Sequence, residues 1–137
     1  WIKETSSKYY PATYSLMMKY NIPVISAREF SSNNDIKDSN EWKNVTFKYF
    51  LTTFMSKNNK ISNILSFGDS LFEKKALEKY GHHINSNNQN NKVHIKTIKY
   101  INTPNVLNLL KENMLIYNNL EHIVNKNGNS DIYLERM

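Results

Sequence analysis

The segment from Ile61 to Glu73 constrains the fold of this 137-residue chain more than any other. An apolar run ends in Phe67-Gly68-Asp69-Ser70, and a helical pattern follows at once. The pattern predicts a buried strand over about 61–67 and a helix over about 70–80, closed by Gly81 as a left-handed cap. The strand's carboxyl end then delivers Asp69 to the crevice where open α/β sheets bind ligands. Gly68 permits the sharp turn, and Glu73 lies one helical turn beyond Asp69, so both carboxylates can face one spot. Two hard oxygen ligands at that spacing suit a magnesium ion. A plainer reading is that Asp69 or Ser70 caps the helix from Leu71 to Tyr80. The segment alone supports both.

The rest of the chain supplies more elements of the same two kinds. Tyr9, Tyr10, Ala12, Thr13, Leu16, Met17 and Tyr20 form a stripe at helical spacing, with Pro11 in the first turn and Asn21 at the end. The run from Ile22 to Ala27 reads as a short buried strand that ends at Ser26. Residues 29–40 read as loop. A helix capped by Ser39 or Asn40 buries Trp42, Val45, Phe47, Phe50, Leu51 and Phe54, and Asn58, Asn59 and Lys60 break it. His82 to Asn91 reads as a polar loop, with low-complexity, Asn-rich sequence over 84–92. Val93 to Ile101 predicts a strand more exposed than the others. Thr103 and Pro104 predict the start of a last long helix containing Val106, Leu110, Met114 and Tyr117. Asp131 to Leu134 reads as a short strand or helical turn. Helices alternating with strands predict one α/β domain over 1–137, a layered sandwich with a mainly parallel sheet.

Composition narrows the function classes. The net charge is +6, yet all but two of the 18 basic residues are lysine, spread along the chain without a cluster. Nucleic-acid modules concentrate charge on one face, so no specific nucleic-acid partner is expected. The lysine and asparagine excess reads as compositional drift. The chain has no cysteine, which excludes a disulfide framework, and no apolar run long enough to span a membrane. The cytosol is the default expectation. A start at Trp1 rather than methionine suggests a piece of a longer chain.

Three positions are predicted to share one crevice. Ser26 ends the Val24-Ile25 run, Lys43 starts the Trp42 helix, and Asp69 with Glu73 ends the next strand. A hydroxyl, an ammonium and a metal-holding acid pair are what phosphoryl transfer needs: the first two hold and neutralise phosphate oxygens, and the metal bridges the rest. Each has a plain alternative. Lys43 can be a solvated first-turn lysine, and Ser26 can end its run with a local hydrogen bond. Arg28 fits a surface ion pair better than a substrate contact. His82 and His83 have no acidic or cysteine partner nearby in sequence.

In this order, the segments Val24–Glu29, Glu41–Lys43, Ser66–Ser70 and Lys96–Tyr100 resemble motifs of the haloacid-dehalogenase-like (HAD-like) hydrolases, closest to an uncharacterised group found in protists. The resemblance spans about residues 1–135. It implies a Rossmann-like three-layer fold and a magnesium-dependent phosphohydrolase acting on a small phosphorylated substrate through an aspartyl-phosphate. Ser26 matches the phosphate-binding hydroxyl, Lys43 the stabilising ammonium, and Asp69 and Glu73 the metal-holding acids. The family's nucleophile motif, Asp-x-Asp after a strand, has no counterpart upstream of Ser26. In the family that strand is central, between those of Ser26 and Asp69. The expectation is therefore a HAD-like domain lacking its first strand, inactive by itself. The alternative is a non-catalytic binding or interaction domain that keeps the fold.

Overall fold

A computed structural model describes residues 2–57, 61–87 and 92–134. The chain divides into two compact units, Trp1–Lys37 and Asp38–Met137.

The first unit is helical. Helix α1 (Ile2–Tyr9) and helix α2 (Pro11–Lys19) pack against each other, and helix α3 (Ala27–Asn33) follows. The helix expected from about Tyr9 to Tyr20 forms as α2, and α1 precedes it as a separate helix; the break between them falls at Tyr10, whose φ of −136° lies outside the helical region. The residue before a proline is pushed from helical geometry, and Pro11 occupies the first turn of α2 instead. Asn21 adopts a left-handed φ of 49° just beyond α2. The expected strand over Ile22–Ala27 does not form: residues 22–26 have no regular structure, and Pro23 removes a ladder donor. Residues 29–33, read from the sequence as loop, belong to α3. Ser26 caps this helix by accepting the Glu29 N–H at 3.2 Å.

The second unit is α/β. Its elements are α4 (Trp42–Lys57), β1 (Asn63–Gly68), α5 (Leu71–Asn87), β2 (His94–Lys99), α6 (Val106–Asn125) and β3 (Ser130–Tyr133). The three strands form one parallel sheet in the order β1-β2-β3, with Gly68 opposite Lys99 and Lys99 opposite Tyr133. Side chains alternate between the faces. On one face, Ile64 and Ile95 meet Leu77 of α5 and Phe47, Leu51 and Met55 of α4. On the other, Leu65, Ile98 and Ile132 meet Ile116 and Ile123 of α6. Helices therefore cover both faces of the sheet.

Strand β2 was expected to be the most exposed; it is the central and most buried one. Its polar residues find partners inside. Lys96 is fully buried and donates to the carbonyls of Ile123, Val124 and Lys126 at the end of α6. Thr97 donates to Asp131 at 2.6 Å. Polar side chains at these positions imitate the alternation of a half-exposed strand.

Two more boundaries differ from the sequence reading. Gly81 does not end α5, which runs to Asn87. Gly81 packs on Ile95 within the first core, where a side chain has no room. Beyond it, the Asn85 side chain exchanges two hydrogen bonds of 2.9 Å with the backbone of Val93, tying α5 to the entry of β2. The first residues of the expected 84–92 loop are thus helical; residues 88–91, and the expected break at 58–60, lie outside the described residues. At α6 the cap is Asn105, accepting the Asn108 N–H at 2.8 Å, while Thr103 adopts a φ of 47°. Gly128 takes a φ of 90° in the turn before β3.

Lys74 of α5 pairs with Asp131 and the Tyr133 hydroxyl of β3, and these hydrogen bonds raise its pKa. Burial pushes the Asp131 carboxyl up, but donation from Lys74 and Thr97 outweighs it and holds the group below its ordinary value. A carboxyl depressed by folding adds stability above its unfolded pKa, and that increment is lost as pH falls through the folded value. Asp131→Asn should therefore flatten the loss of stability below about pH 4. Urea midpoints measured across the acid range test this; an unchanged acid limb would contradict it.

Candidate functional site

The carboxyl end of β1 carries the cluster. Ladder pairing with β2 runs to Gly68 and is extended by the Tyr100 N–H, which donates to the Gly68 carbonyl at 2.8 Å. The chain then turns through Asp69 and Ser70 into α5. A Cβ at position 68 would meet Cγ and Oε2 of Glu73, each at 2.8 Å. The absent side chain lets Glu73 fold back over the strand end.

Glu73 is the hub. Lys43, in the first turn of α4, pairs with one carboxylate oxygen, and the Ser70 hydroxyl donates to the other. The same hydroxyl accepts the Phe72 N–H at 3.3 Å. Ser70 and Glu73 have the Ser-x-x-Glu spacing of a helix-capping box. The capping reading is therefore realised, with Ser70 rather than Asp69 as the capping side chain. Burial pushes the Lys43 ammonium below its ordinary pKa, and the Asp69 charge pulls it partly back. Lys43 thus lies within electrostatic reach of both Asp69 and Glu73.

Ser26 belongs to the first unit, at the start of α3 and not at the end of a strand. Arg28 lies in the same helix. His82 and His83 lie inside α5 instead of following it.

Lys99 was not singled out by the sequence reading. It donates to the Asp69 carbonyl at 2.8 Å, the Tyr100 carbonyl at 2.7 Å and Asn102 Oδ1 at 2.6 Å. The available signal was positional, a polar residue at the carboxyl end of the neighbouring parallel strand. A strand with the same direction as β1 ends on the same edge of the sheet.

Among the described residues, no group of three or more His, Cys, Asp or Glu side chains is placed to hold a metal. A cation at this site would rest on Asp69 and Glu73, completed by water or phosphate oxygens. Magnesium commonly accepts such a donor set. The residues fit that ion, provided Glu73 exchanges its Lys43 partner for the metal. A half-open cleft of about 520 Å³ lies elsewhere, over β3, and is lined by Glu78, His82, Thr97 and Asp131 among others. No helix among the described residues is long and apolar enough to cross a membrane.

Comparisons with protein-family models, with curated proteins and with solved structures gave no match.

Proposed function

We propose that the Asp38–Met137 unit carries the metal-and-lysine half of a HAD-like, magnesium-dependent phosphohydrolase site, and that the finer fold is the Rossmann-like HAD arrangement without its first strand and without the strand expected at Ser26. The supporting observation is the convergence of Lys43, Asp69 and Glu73 at the carboxyl end of a parallel strand. In this reading Asp69 and Glu73 hold the magnesium. The ion supplies charge that offsets the phosphate oxygens of a small phosphorylated substrate. Lys43 neutralises the same oxygens once it leaves Glu73. The carboxylate nucleophile comes from a strand outside these motifs.

Magnesium titration followed by calorimetry or amide shifts tests the reading. Asp69→Asn and Glu73→Gln are each expected to weaken binding about 10-fold or more, equivalent to about 1.4 kcal/mol. Unchanged affinity in both would leave the acids with a structural role only. That outcome would favour a non-catalytic HAD-like binding domain, a reading supported by the hydrogen bond and ion pair that already engage Glu73.

A further inference from the structure

Strand β2 buries two ammonium groups in similar cages on opposite faces of the sheet, and only one has an evident structural cause. Lys96 meets the carbonyls of Ile123 and Val124 at the end of α6, where unpaired carbonyls and the helix dipole favour a cation. Lys99 is 8% exposed and sits at no helix C-terminus. Its three acceptors are all neutral oxygens, from Asp69, Tyr100 and Asn102. The space between Lys99, Gly68, Ser70 and Glu73 is too small to admit water. An ammonium buried without a carboxylate among its acceptors is costly, and an apolar residue of the same size would often serve stability as well.

All three acceptors lie on the edge of the sheet that carries Asp69. They belong to the turn after β1 and to the segment after β2, so the ammonium latches the two together. We propose that Lys99 is a positioning residue for the Asp69–Glu73 site: it fixes the Asp69 backbone so that the carboxylate is held where a divalent cation can take it together with Glu73. The proposal rests on the reading of these acids as magnesium ligands. Lys99 itself touches neither carboxylate. It acts through the Asp69 main chain, as groups behind metal ligands commonly do.

The two lysines supply the experiment and its control. Magnesium affinity and amide exchange at Ser70 are compared in the wild-type chain, Lys99→Met, Lys96→Met and Asn102→Ala, under conditions where each is folded. Lys99→Met is expected to weaken magnesium binding about 10-fold and to speed exchange at Ser70. Loss of a positive charge alone would strengthen cation binding, so the direction separates positioning from simple electrostatics. Lys96→Met is expected to lower stability while leaving both readouts unchanged, which a merely structural role for Lys99 would match. Asn102→Ala removes one acceptor without altering charge and should weaken binding in the same direction; it decides the matter if Lys99→Met does not fold. Equal or tighter magnesium binding by the folded Lys99 or Asn102 variant, or unaltered exchange at Ser70, overturns the proposal. No magnesium binding by the wild-type chain defeats the metal reading and the proposal together, whereas loss of the Lys99 effect with wild-type binding intact defeats only the proposal.

Discussion

Gly81→Ala is expected to destabilise the Asp38–Met137 unit by about 2 kcal/mol, although alanine is the better helix former by about 1 kcal/mol. The reason is the neighbour. A Cβ at position 81 would lie 2.3 Å from Cγ1 and 2.8 Å from Cδ1 of Ile95, far inside van der Waals contact. Ile95 is on the central strand, packed in the same core as Leu77 and Val93, so neither the strand nor α5 can yield freely. Interiors at crystal-like density transmit such an insertion as strain. Chemical denaturation of Gly81→Ala checks the sign: a gain would show that the helix and strand separate without cost. The double variant with Ile95→Ala identifies the cause. If the clash is responsible, the two losses are less than additive by about 1 kcal/mol or more. Strict additivity would place the effect elsewhere.

The same glycine shows what the sequence could and could not reveal. Gly81 follows ten residues of helical pattern, so local chemistry pointed to a left-handed cap. Its actual role depends on Ile95, fourteen positions later, and close approach between a helix and a strand leaves no local mark. The β1 segment was legible because its signals agree: an apolar run, a glycine where Glu73 folds back, and Ser70 with Glu73 at capping spacing. Strand β2 was found but its burial was misjudged, since Lys96, Thr97 and Lys99 occupy interior positions with polar partners that only the fold supplies. The Ile22–Ala27 run failed in the opposite way. It has strand composition, but no strand pairs with it among the described residues, and Pro23 lacks a donor.

The asparagines also carry more than composition suggested. Asn85 and Asn129 satisfy backbone groups at the entry of β2, Asn105 caps α6, and Asn102 holds Lys99. Of the candidate site, Lys43, Asp69 and Glu73 were legible because strand ends and helix starts are read locally. Lys99 was not, because its partners include the turn after a different strand.

Lys96→Met is expected to cost about 3 kcal/mol. The ammonium is fully buried, and its donors serve the carbonyls of Ile123 at 2.6 Å, Val124 at 2.7 Å and Lys126 at 2.8 Å. Methionine has a similar reach but offers no donor. Carbonyls at the end of α6 would then lose their partner in the interior, at about 1–3 kcal/mol for each group left without one. Two terms oppose the loss. Removing the charge recovers its burial cost, and water can enter once the last turn of α6 frays. Neither restores three bonds at once, so the balance remains unfavourable. Urea denaturation of Lys96→Met, with the exposed Lys111→Met of α6 as reference, measures the difference. The reference should lie within about 0.5 kcal/mol of wild type. A loss below about 1 kcal/mol for Lys96→Met would mean that the carbonyls find other donors and that the ammonium does not hold the end of α6 to the sheet.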